Sequence, residues 1–439
     1  MKKTLPGDLP KASLVTLGCP MNQVDSERII SGFVKYGFKI VPEEEADVIV
    51  VNTCGFIESA REESIETILS VADLKARGNL KALVVAGCLA ERYGNELLKD
   101  LTEADAIVGL SDAEKIPELC CELLDYEKPG ESVYSRVLIG FPHMAYLRIS
   151  EGCNHRCSYC AIPMIRGPFR SIPEEEILDE ARELSELGVK ELILIGQDTT
   201  SYGSDLDGKN LSSLLGKLND IEDIEWIRLL YAHPEHFKEE IIDIFTGLPK
   251  VLPYIDLPLQ HISGSVLRRM RRITPPEKIK KLIEILRERI EGLILRTTLI
   301  VGFPGETERD FRELVDFVRS YRFQRLGAFI YSHEEGTKAA LMENTVPVNV
   351  ALERYNTLME IQSSISADFH KSLIGREFDM IVDEVNPDSG EASGRTYMDA
   401  PDIDGNVLVD RGVEEGKAFY RIRVTDAETY DLRGEVVQD

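Results

Sequence analysis

Long apolar runs are missing from this sequence of 439 residues. None approaches the roughly 18 apolar residues that a membrane-spanning helix requires. The first residues, MKKTLPGDLPKAS, carry two lysines but no apolar segment, because Pro6, Asp8 and Pro10 interrupt it. A secretion signal needs such a segment. The sequence therefore predicts a cytoplasmic protein without a membrane span.

Positive charge is also scarce. The chain has 51 lysines and arginines against 77 acidic residues, so its formal net charge is −26. Proteins that bind nucleic-acid phosphates usually present a basic surface instead. The acidity either keeps the protein soluble or complements a basic partner.

Cysteine is sparse as well, with eight residues in the whole chain. In a chain of this size without a predicted secretion signal, metal binding or catalysis explains cysteines better than disulfides. Two of them, Cys120 and Cys121, lie among apolar neighbours in PELCCELLDY, and we expect them to pack in a core. The other six fall into two groups of three.

The apolar pattern predicts three domains, over residues 11–127, 139–370 and 372–439, with a linker over 125–145. In the first domain, short apolar runs alternate with amphipathic stretches, which is typical of an open parallel α/β sheet. One amphipathic stretch predicts a helix whose buried stripe is formed by Ile65, Ile68, Leu69 and Ala72.

The middle domain repeats the alternation six times between residues 146 and 332. Six strand–helix units are too few for a standard eight-fold barrel and favour an open, partial (βα)6 barrel. A long helix is predicted over residues 348–375. Beyond it the apolar residues alternate with a period of two, as in FYRIRVT (419–425), which predicts a small all-β barrel.

The strongest chemical signal is the loop CNHRCSYC, with Cys153, Cys157 and Cys160 just after the first barrel strand. A zinc site would normally need a fourth nearby ligand. A cluster of four irons held by three cysteines keeps one iron open. S-adenosylmethionine (SAM) can chelate that iron. An electron from the cluster then cleaves a C–S bond of SAM and yields a 5′-deoxyadenosyl radical. Purely structural cysteines rarely have this spacing.

The second group is spread along the first domain. Cys19, Cys54 and Cys88 each follow a predicted strand directly. Because the carboxyl ends of parallel strands share one edge of a sheet, these thiols can converge there. A second cluster with an open iron is one interpretation. Three buried cysteines that act as small apolar residues are the other.

With these two triads, the chain resembles the methylthiotransferases, a radical SAM family. The resemblance covers almost the whole chain and includes the segments AIPMIRGPFRS and VGFPGET. It implies an α/β protein with an N-terminal open parallel α/β sheet, a central radical SAM barrel and a C-terminal β-domain of the TRAM type. It also implies two 4Fe-4S clusters and SAM as cofactors.

The family has two main branches. One modifies an adenosine of tRNA, and the other, the RimO type, modifies the β-carbon of an aspartate in small-subunit ribosomal protein S-twelve. The chain has Asp198 in GQDTTSYG and Glu334-Glu335 in SHEEGT, which resemble the second branch, whereas tRNA enzymes tend to carry Asn and Arg-Pro there. Residues 374–439 hold 7 basic and 17 acidic residues, a balance unsuited to binding tRNA and suited to a basic ribosomal protein.

The resemblance also implies the chemistry. One SAM supplies a methyl group to sulfur at the auxiliary cluster, and a second supplies the radical that removes hydrogen from the substrate carbon. An electron-donor protein is then needed. The N-terminal cluster must face the barrel mouth, with the substrate between the two clusters.

Several further residues are candidates with a structural alternative. Tyr159 is expected to contact SAM through its backbone, or to pack. Two strand ends of the barrel are the other candidates for SAM contact, where such barrels place their sites. They carry Gln197 and Asp198, and Gly302, Pro304 and Gly305.

Two arginines can pair with a substrate carboxylate, Arg166 and Arg170, or form structural ion pairs. We expect His155 to be a neighbour of the cluster and not a ligand. His261 can hydrogen-bond in the barrel cavity, but we expect it to be a satisfied structural histidine.

Two rival functions remain at this point. A tRNA adenosine methylthiotransferase shares the two triads. A non-catalytic iron–sulfur scaffold or redox sensor would use the β-domain for binding. The CxxxCxxC loop speaks against the scaffold, because a scaffold has no need of an open iron that binds SAM.

Overall fold

The computed structural model describes residues 9–78, 80–127, 136–414 and 416–437. Part of the predicted linker, residues 128–135, lies outside the described residues. The fold has the three predicted parts, each built around its own sheet or barrel. Within these ranges, four short 3-10 helices accompany the main elements, at Glu43–Glu45, Leu110–Lys115, Thr199–Ser201 and Ala339–Leu341.

The N-terminal part is a five-stranded parallel sheet with strand order β2-β1-β3-β4-β5. In chain order its elements are β1 (Lys11–Thr16), α1 (Pro20–Lys35), β2 (Lys39–Ile40), β3 (Val48–Thr53), α2 (Glu58–Ala76), β4 (Ala82–Gly87), α3 (Cys88–Asp100), β5 (Ala106–Val108) and α4 (Ile116–Leu123). Every residue of β3 and β4 is buried, as expected of central parallel strands covered on both faces. Cys120 and Cys121 are buried in the core, on α4.

The predicted stripe of α2 is wrong in two positions. Ile65 and Leu69 are 37% and 46% exposed, and the buried face is formed by Ser64, Ile68, Val71 and Ala72. The helix is rotated because the Ser64 hydroxyl exchanges hydrogen bonds with the backbone of Cys54. The stripe therefore follows a polar contact at the cysteine loop.

The central part is an open sheet of six parallel strands in the order β6-β9-β10-β11-β12-β13, which confirms the partial barrel. Its strands are β6 (Met144–Arg148), the ribbon β7 (Ser150–Glu151) and β8 (Arg170–Ser171), β9 (Glu191–Ile195), β10 (Trp226–Leu229), β11 (Val251–Asp256), β12 (Ile294–Val301) and β13 (Arg325–Ile330). Its helices are α5 (Ile162–Ile165), α6 (Glu174–Glu186), α7 (Leu211–Asn219), α8 (Glu239–Gly247), α9 (Gly264–Met270), α10 (Pro276–Arg289), α11 (Glu308–Tyr321) and α12 (Val348–Lys371).

The C-terminal part is a closed five-stranded barrel, as predicted, with strand order β14-β15-β16-β18-β17. The strands are β14 (Glu377–Val385), β15 (Ala392–Thr396), β16 (Val407–Val409), β17 (Phe419–Ala427) and β18 (Leu432–Val436). In β17 the side chains of Tyr420, Ile422 and Val424 are buried, which confirms the alternation. Closure leaves no free edge in this small sheet.

This β-barrel seals the amino-terminal end of the (βα)6 barrel. Glu191, the first residue of β9, accepts hydrogen bonds from Arg228 and from Arg395 of β15, each at 2.8 Å. Arg395 also donates to Asp383 of β14, which in turn contacts His143 at 2.8 Å. The apolar residues of both barrels form one continuous core around these charges. The carboxyl end of the (βα)6 barrel is left for the site.

Candidate active site between two cysteine triads

The first triad lies on the loop between β7 and α5. The amide of Cys153 donates to the carbonyl of Gly167 at 3.2 Å, and that of Cys160 donates to the carbonyl of Cys157 at 3.3 Å, so backbone hydrogen bonds hold the loop. Burial raises the pKa of the Cys160 thiol to about 12 and that of Cys153 to about 11. Such thiols keep their protons at neutral pH unless a metal ion replaces them.

The second triad converges at the carboxyl edge of the N-terminal sheet. Cys19 precedes α1, Cys54 follows β3, and Cys88 begins α3. Gly18 lies at φ +94°, and a Cβ there would stand 2.9 Å from the Cβ of Cys54, so only glycine lets the first two loops approach this closely. Burial raises the pKa of Cys88 to about 12; Arg166 opposes the rise, and Cys19 and Cys54 add to it.

The two triads occupy facing surfaces of adjoining domains. Cys88 packs in one apolar cluster with Ala161 and Ile165, which lie within five residues after Cys160. Its thiol donates to Asn22 Oδ1 at 3.3 Å. The chain thus brings Cys88 of the N-terminal triad against the segment that follows Cys160, at the junction of the N-terminal sheet and the barrel.

Arg166 lies in this junction. Its guanidinium donates to Glu151 at 2.7 Å, to Asn22 at 2.8 Å and to Asp25 at 2.9 Å, and one Nη stands 3.6 Å from Cys88 Sγ. Burial alone would lower the pKa of Arg166, but Asp25, Cys88 and Glu151 raise it, so the side chain stays charged. These contacts correspond to the structural ion pair that the sequence left open.

Arg170 lies at the edge of this junction. It is exposed on β8, where it pairs in register with Glu151, and its charge acts on the nearby Asp205. Arg166 and Arg170 are therefore both neighbours of Glu151, Arg166 through its side chain and Arg170 through the strand pairing.

Asp198 contacts His155, which lies between Cys153 and Cys157 of the first triad. Its Oδ2 is 2.7 Å from His155 Nε2 and 2.7 Å from His236 Nδ1, and Ser201 and Thr200 donate to the same carboxylate. Burial alone would raise the pKa of Asp198, but these hydrogen bonds lower it. Asp198 thereby connects the cysteine loop to the loops that follow β9 and β10.

His233 completes this group. Its ring stacks on that of His155, with centroids 3.9 Å apart, and burial lowers its pKa to about 2. His233 and His236 were not singled out from the sequence. Their position after the third barrel strand, in YAHPEHF, was the available signal.

The remaining candidate residues surround the barrel mouth. Gln197 follows β9, and its buried Oε1 has no hydrogen-bond partner among the described residues. Gly302 and Pro304 are buried after β12, in a loop whose Gly302 and Phe303 amides donate to Glu306. Tyr159 packs edge-on to Phe303 at 6.4 Å between ring centroids.

His261 follows β11 and is fully buried. Its Nδ1 accepts a hydrogen bond from the Ser263 amide at 2.9 Å, while its Nε2 has no hydrogen-bond partner in the described part of the chain. The histidine is therefore satisfied at one nitrogen only.

Sequence reasoning also missed Tyr231, which follows β10. It lies at φ +58° with its amide donating to Asp256 at 3.0 Å. Burial raises its pKa, and the charge of Cys19 in the N-terminal domain raises it further. Tyr231 is thus a barrel residue whose pKa is affected by Cys19 of the N-terminal triad.

Within the described residues, the structure contains no helix with the length and apolarity to cross a membrane.

Three family models match the chain. The radical SAM superfamily covers residues 147–318, the uncharacterised protein family UPF0004 covers 11–109, and the TRAM domain covers 374–437. The matched ranges fall on the central barrel, the N-terminal sheet and the C-terminal barrel.

Relatives match over nearly the full length. The ribosomal protein uS12 methylthiotransferase RimO of Clostridioides difficile is 45% identical over 98% of this chain and 99% of its own length. RimO of Trichlorobacter lovleyi is 44% identical, with 98% of each chain covered. Among solved structures, the radical SAM methyltransferase TsrM from Kitasatospora setae superposes with a TM-score of 0.56 at 14% identity, covering 82% of this chain and 90% of that one. That likeness concerns the fold.

Proposed function

Because the chain belongs to the RimO family of ribosomal protein uS12 methylthiotransferases, we propose that it inserts a methylthio group at the β-carbon of an aspartate in uS12, the small-subunit protein S-twelve. The observation that carries this proposal is the junction of the two triads. Cys88 of one packs against Ala161 and Ile165, which follow the other. A substrate side chain held at this junction is within reach of both.

The donor sets fit two iron–sulfur clusters. Each triad offers three thiols, and the two other cysteines lie away from both, in the core around α4. Three thiolates leave one position of a 4Fe-4S cluster open. When bound, the clusters and SAM supply a hydrogen-abstracting radical at the Cys153 loop and a methylated sulfur at the N-terminal triad.

The chain's own residues hold the cofactor at the barrel mouth. The unpartnered Oε1 of Gln197 is available to a hydrogen-bond donor of SAM. Gly302, Pro304 and the backbone at Tyr159 line the adenosine side in this proposal. Asp198 fixes His155 and with it the cysteine loop, because its carboxylate is already occupied by protein donors.

Arg166 keeps the two triads in register. Its charge joins Glu151 of the barrel to Asp25 and Asn22 of α1, and this charge also favours the thiolate form of Cys88. Arg170 is exposed and has no side-chain hydrogen bond or ion pair within the described ranges, so it can meet a substrate carboxylate at the edge of the junction. In this proposal it is the arginine that contacts substrate.

The three parts divide the work. Residues 11–127 carry the auxiliary cluster, residues 139–370 carry the radical chemistry, and residues 372–439 recognise the basic substrate protein, free or on the ribosome. An electron-donor protein and a cytoplasmic location complete the proposal, and tRNA is not a substrate. The acidic balance of residues 374–439 supports a basic protein partner over an RNA.

The test compares the two substrates of the family. The protein with both clusters is incubated with SAM, a reductant and either recombinant uS12 or unmodified tRNA, and the products are analysed by mass spectrometry. We expect a methylthio increment on one aspartate of uS12 and none on tRNA. An increment on tRNA adenosine alone would move the enzyme to the other branch.

A further inference from the structure

A cleft of about 1250 Å³ opens beside the first triad. It lies between the cysteine loop and the loops that follow β9, β10 and β11. The cysteine loop contributes Cys153, Asn154, His155 and Arg156 to its wall. Among the described residues, no hydrogen bond or ion pair between the N-terminal domain and the barrel involves the other walls, so the cleft is a separate surface.

The cysteine loop therefore has two distinct sides. On one side, the residues that follow Cys160 pack against Cys88 of the N-terminal triad. On the other, Cys153 lines the cleft, whereas Cys157 and Cys160 do not. A molecule in the cleft reaches a predicted cluster ligand without entering the space between the triads.

The charge of the cleft is opposite to that of the whole chain. Its lining carries six lysines and arginines against three acidic residues, a local net charge of +3 in a chain of −26. Four of these cations are exposed and, among the described residues, form no ion pair: Arg156, Lys238, Arg268 and Arg271. Cations kept free of internal partners are available to an acidic partner.

An apolar residue lies among these cations. Ile273 lines the cleft and is 69% exposed, one of the most exposed large apolar side chains of the described chain. A basic rim around an exposed apolar residue is the composition of a protein-docking surface. The basic uS12 protein does not suit it, because like charges repel.

We propose that this cleft docks the acidic, low-potential one-electron carrier protein that reduces the cluster at Cys153, Cys157 and Cys160. The inference rests on the proposed function, which requires an electron at that loop. The carrier loses one electron and the cluster gains it; no bond forms or breaks and no proton moves. Redox encounters of this kind are small and transient, and salt weakens them.

The test uses full-length protein with both clusters and reduced flavodoxin, an acidic flavoprotein, as the probe. We compare wild type with Lys238→Glu/Arg268→Glu by stopped-flow oxidation of flavodoxin. Charge steering of this type changes association rates by about 10- to 1000-fold, so we expect at least a roughly tenfold loss at low salt. Reduction by dithionite, which needs no docking, should be unchanged in the variant.

Arg309→Glu/Arg319→Glu is the matched control, since it reverses two exposed charges on α11. It should oxidise flavodoxin at the wild-type rate. A variant at the cleft that also keeps the wild-type rate would overturn the proposal. If wild type itself is not reduced by dithionite or does not cleave SAM, the proposed function fails instead.

Cross-linking of the wild-type complex is independent of any variant. A carbodiimide should join Lys238 to a carboxylate of oxidised flavodoxin, and mass spectrometry identifies the joined peptides. Cross-links confined to lysines outside the cleft would contradict the docking site, whatever the rates.

Discussion

Glu334 of the barrel accepts a hydrogen bond from Arg92 of the N-terminal domain, with Nη1 2.9 Å from Oε2, and both side chains are buried. Arg61 donates to the same carboxylate, and the Glu58 amide donates to its other oxygen at 3.0 Å. Three donors of the N-terminal domain thus meet one barrel residue. In the sequence, the Glu334-Glu335 pair indicated the substrate branch. In the structure, Glu334 joins the N-terminal domain to the barrel.

Replacing Glu334 by Gln should loosen the domain that carries the auxiliary triad. The variant leaves Arg92 buried without its charge partner, and such a loss costs about 3–5 kcal/mol. Because a shift of about 1 Å can cost about 100-fold in rate, we expect methylthio transfer to fall about 100-fold. Cleavage of SAM, which needs only the barrel, should change little. Product and 5′-deoxyadenosine are measured in the same reaction.

Glu335→Gln is the control for that variant, because Glu335 is exposed and offers Arg92 only its backbone carbonyl. It should retain both activities. Hydrogen exchange adds a structural measurement: amides of α2 and α3 should exchange faster in Glu334→Gln and not in Glu335→Gln. Equal loss of SAM cleavage and transfer would show that Glu334 does not act through the domain junction.

The two triads should bind iron independently. Replacing Cys153, Cys157 and Cys160 by Ala should lower the iron content from about eight to about four per chain, since each cluster has four irons. The converse triple replacement, at Cys19, Cys54 and Cys88, should give the same content. Iron is measured against protein concentration, with the absorption spectrum as a check. No iron, or a full complement, in the first variant would be incompatible with two separate sites.

The charged network between the two barrels should be essential to stability. Arg395→Met leaves Glu191 and Asp383 buried with fewer partners, and breaking a buried pair costs about 3–5 kcal/mol. We expect a correspondingly lower free energy of unfolding in urea. Arg421→Met is the control, since Arg421 is half exposed in its ion pairs with Glu377 and Asp379. If Arg395→Met lowers the free energy of unfolding no more than Arg421→Met does, this network does not stabilise the protein as proposed.

The exposed acidic residues of the C-terminal barrel should attract the substrate protein. Glu384 and Asp388 are exposed and, within the described part of the chain, form no ion pair. In full-length protein, Glu384→Gln/Asp388→Asn should weaken uS12 binding at low salt, and added salt should remove the difference. Glu183→Gln/Glu186→Gln on α6 is the control. If both variants bind uS12 equally well, the acidic residues of the C-terminal barrel serve solubility and not substrate binding.

Local pattern sufficed for much of this fold. Neighbouring residues alone predict the period-two alternation of β17 and the apolar runs of β3 and β4, and the structure has these strands. The loop spacing of Cys153, Cys157 and Cys160 is local as well. The edge shared by Cys19, Cys54 and Cys88 followed from the rule that parallel strands end together.

What escaped prediction depends on partners far apart in the chain. Arg395 meets Glu191 across 204 positions, and Arg166 meets Asn22 across 144. The periodicity of apolar residues does not predict such distant pairs. The rotation of α2 likewise came from one hydroxyl, that of Ser64, at the backbone of Cys54.

The cooperation of the two triads over one substrate is tested most directly by separating the half-reactions. Protein with Cys19, Cys54 and Cys88 replaced by Ala is incubated with SAM, dithionite and uS12, and 5′-deoxyadenosine and modified uS12 are quantified together. We expect 5′-deoxyadenosine to form and uS12 to stay unmodified, because only the N-terminal triad holds the sulfur to be transferred. Methylthiolated uS12 at the wild-type level in this variant would contradict the account.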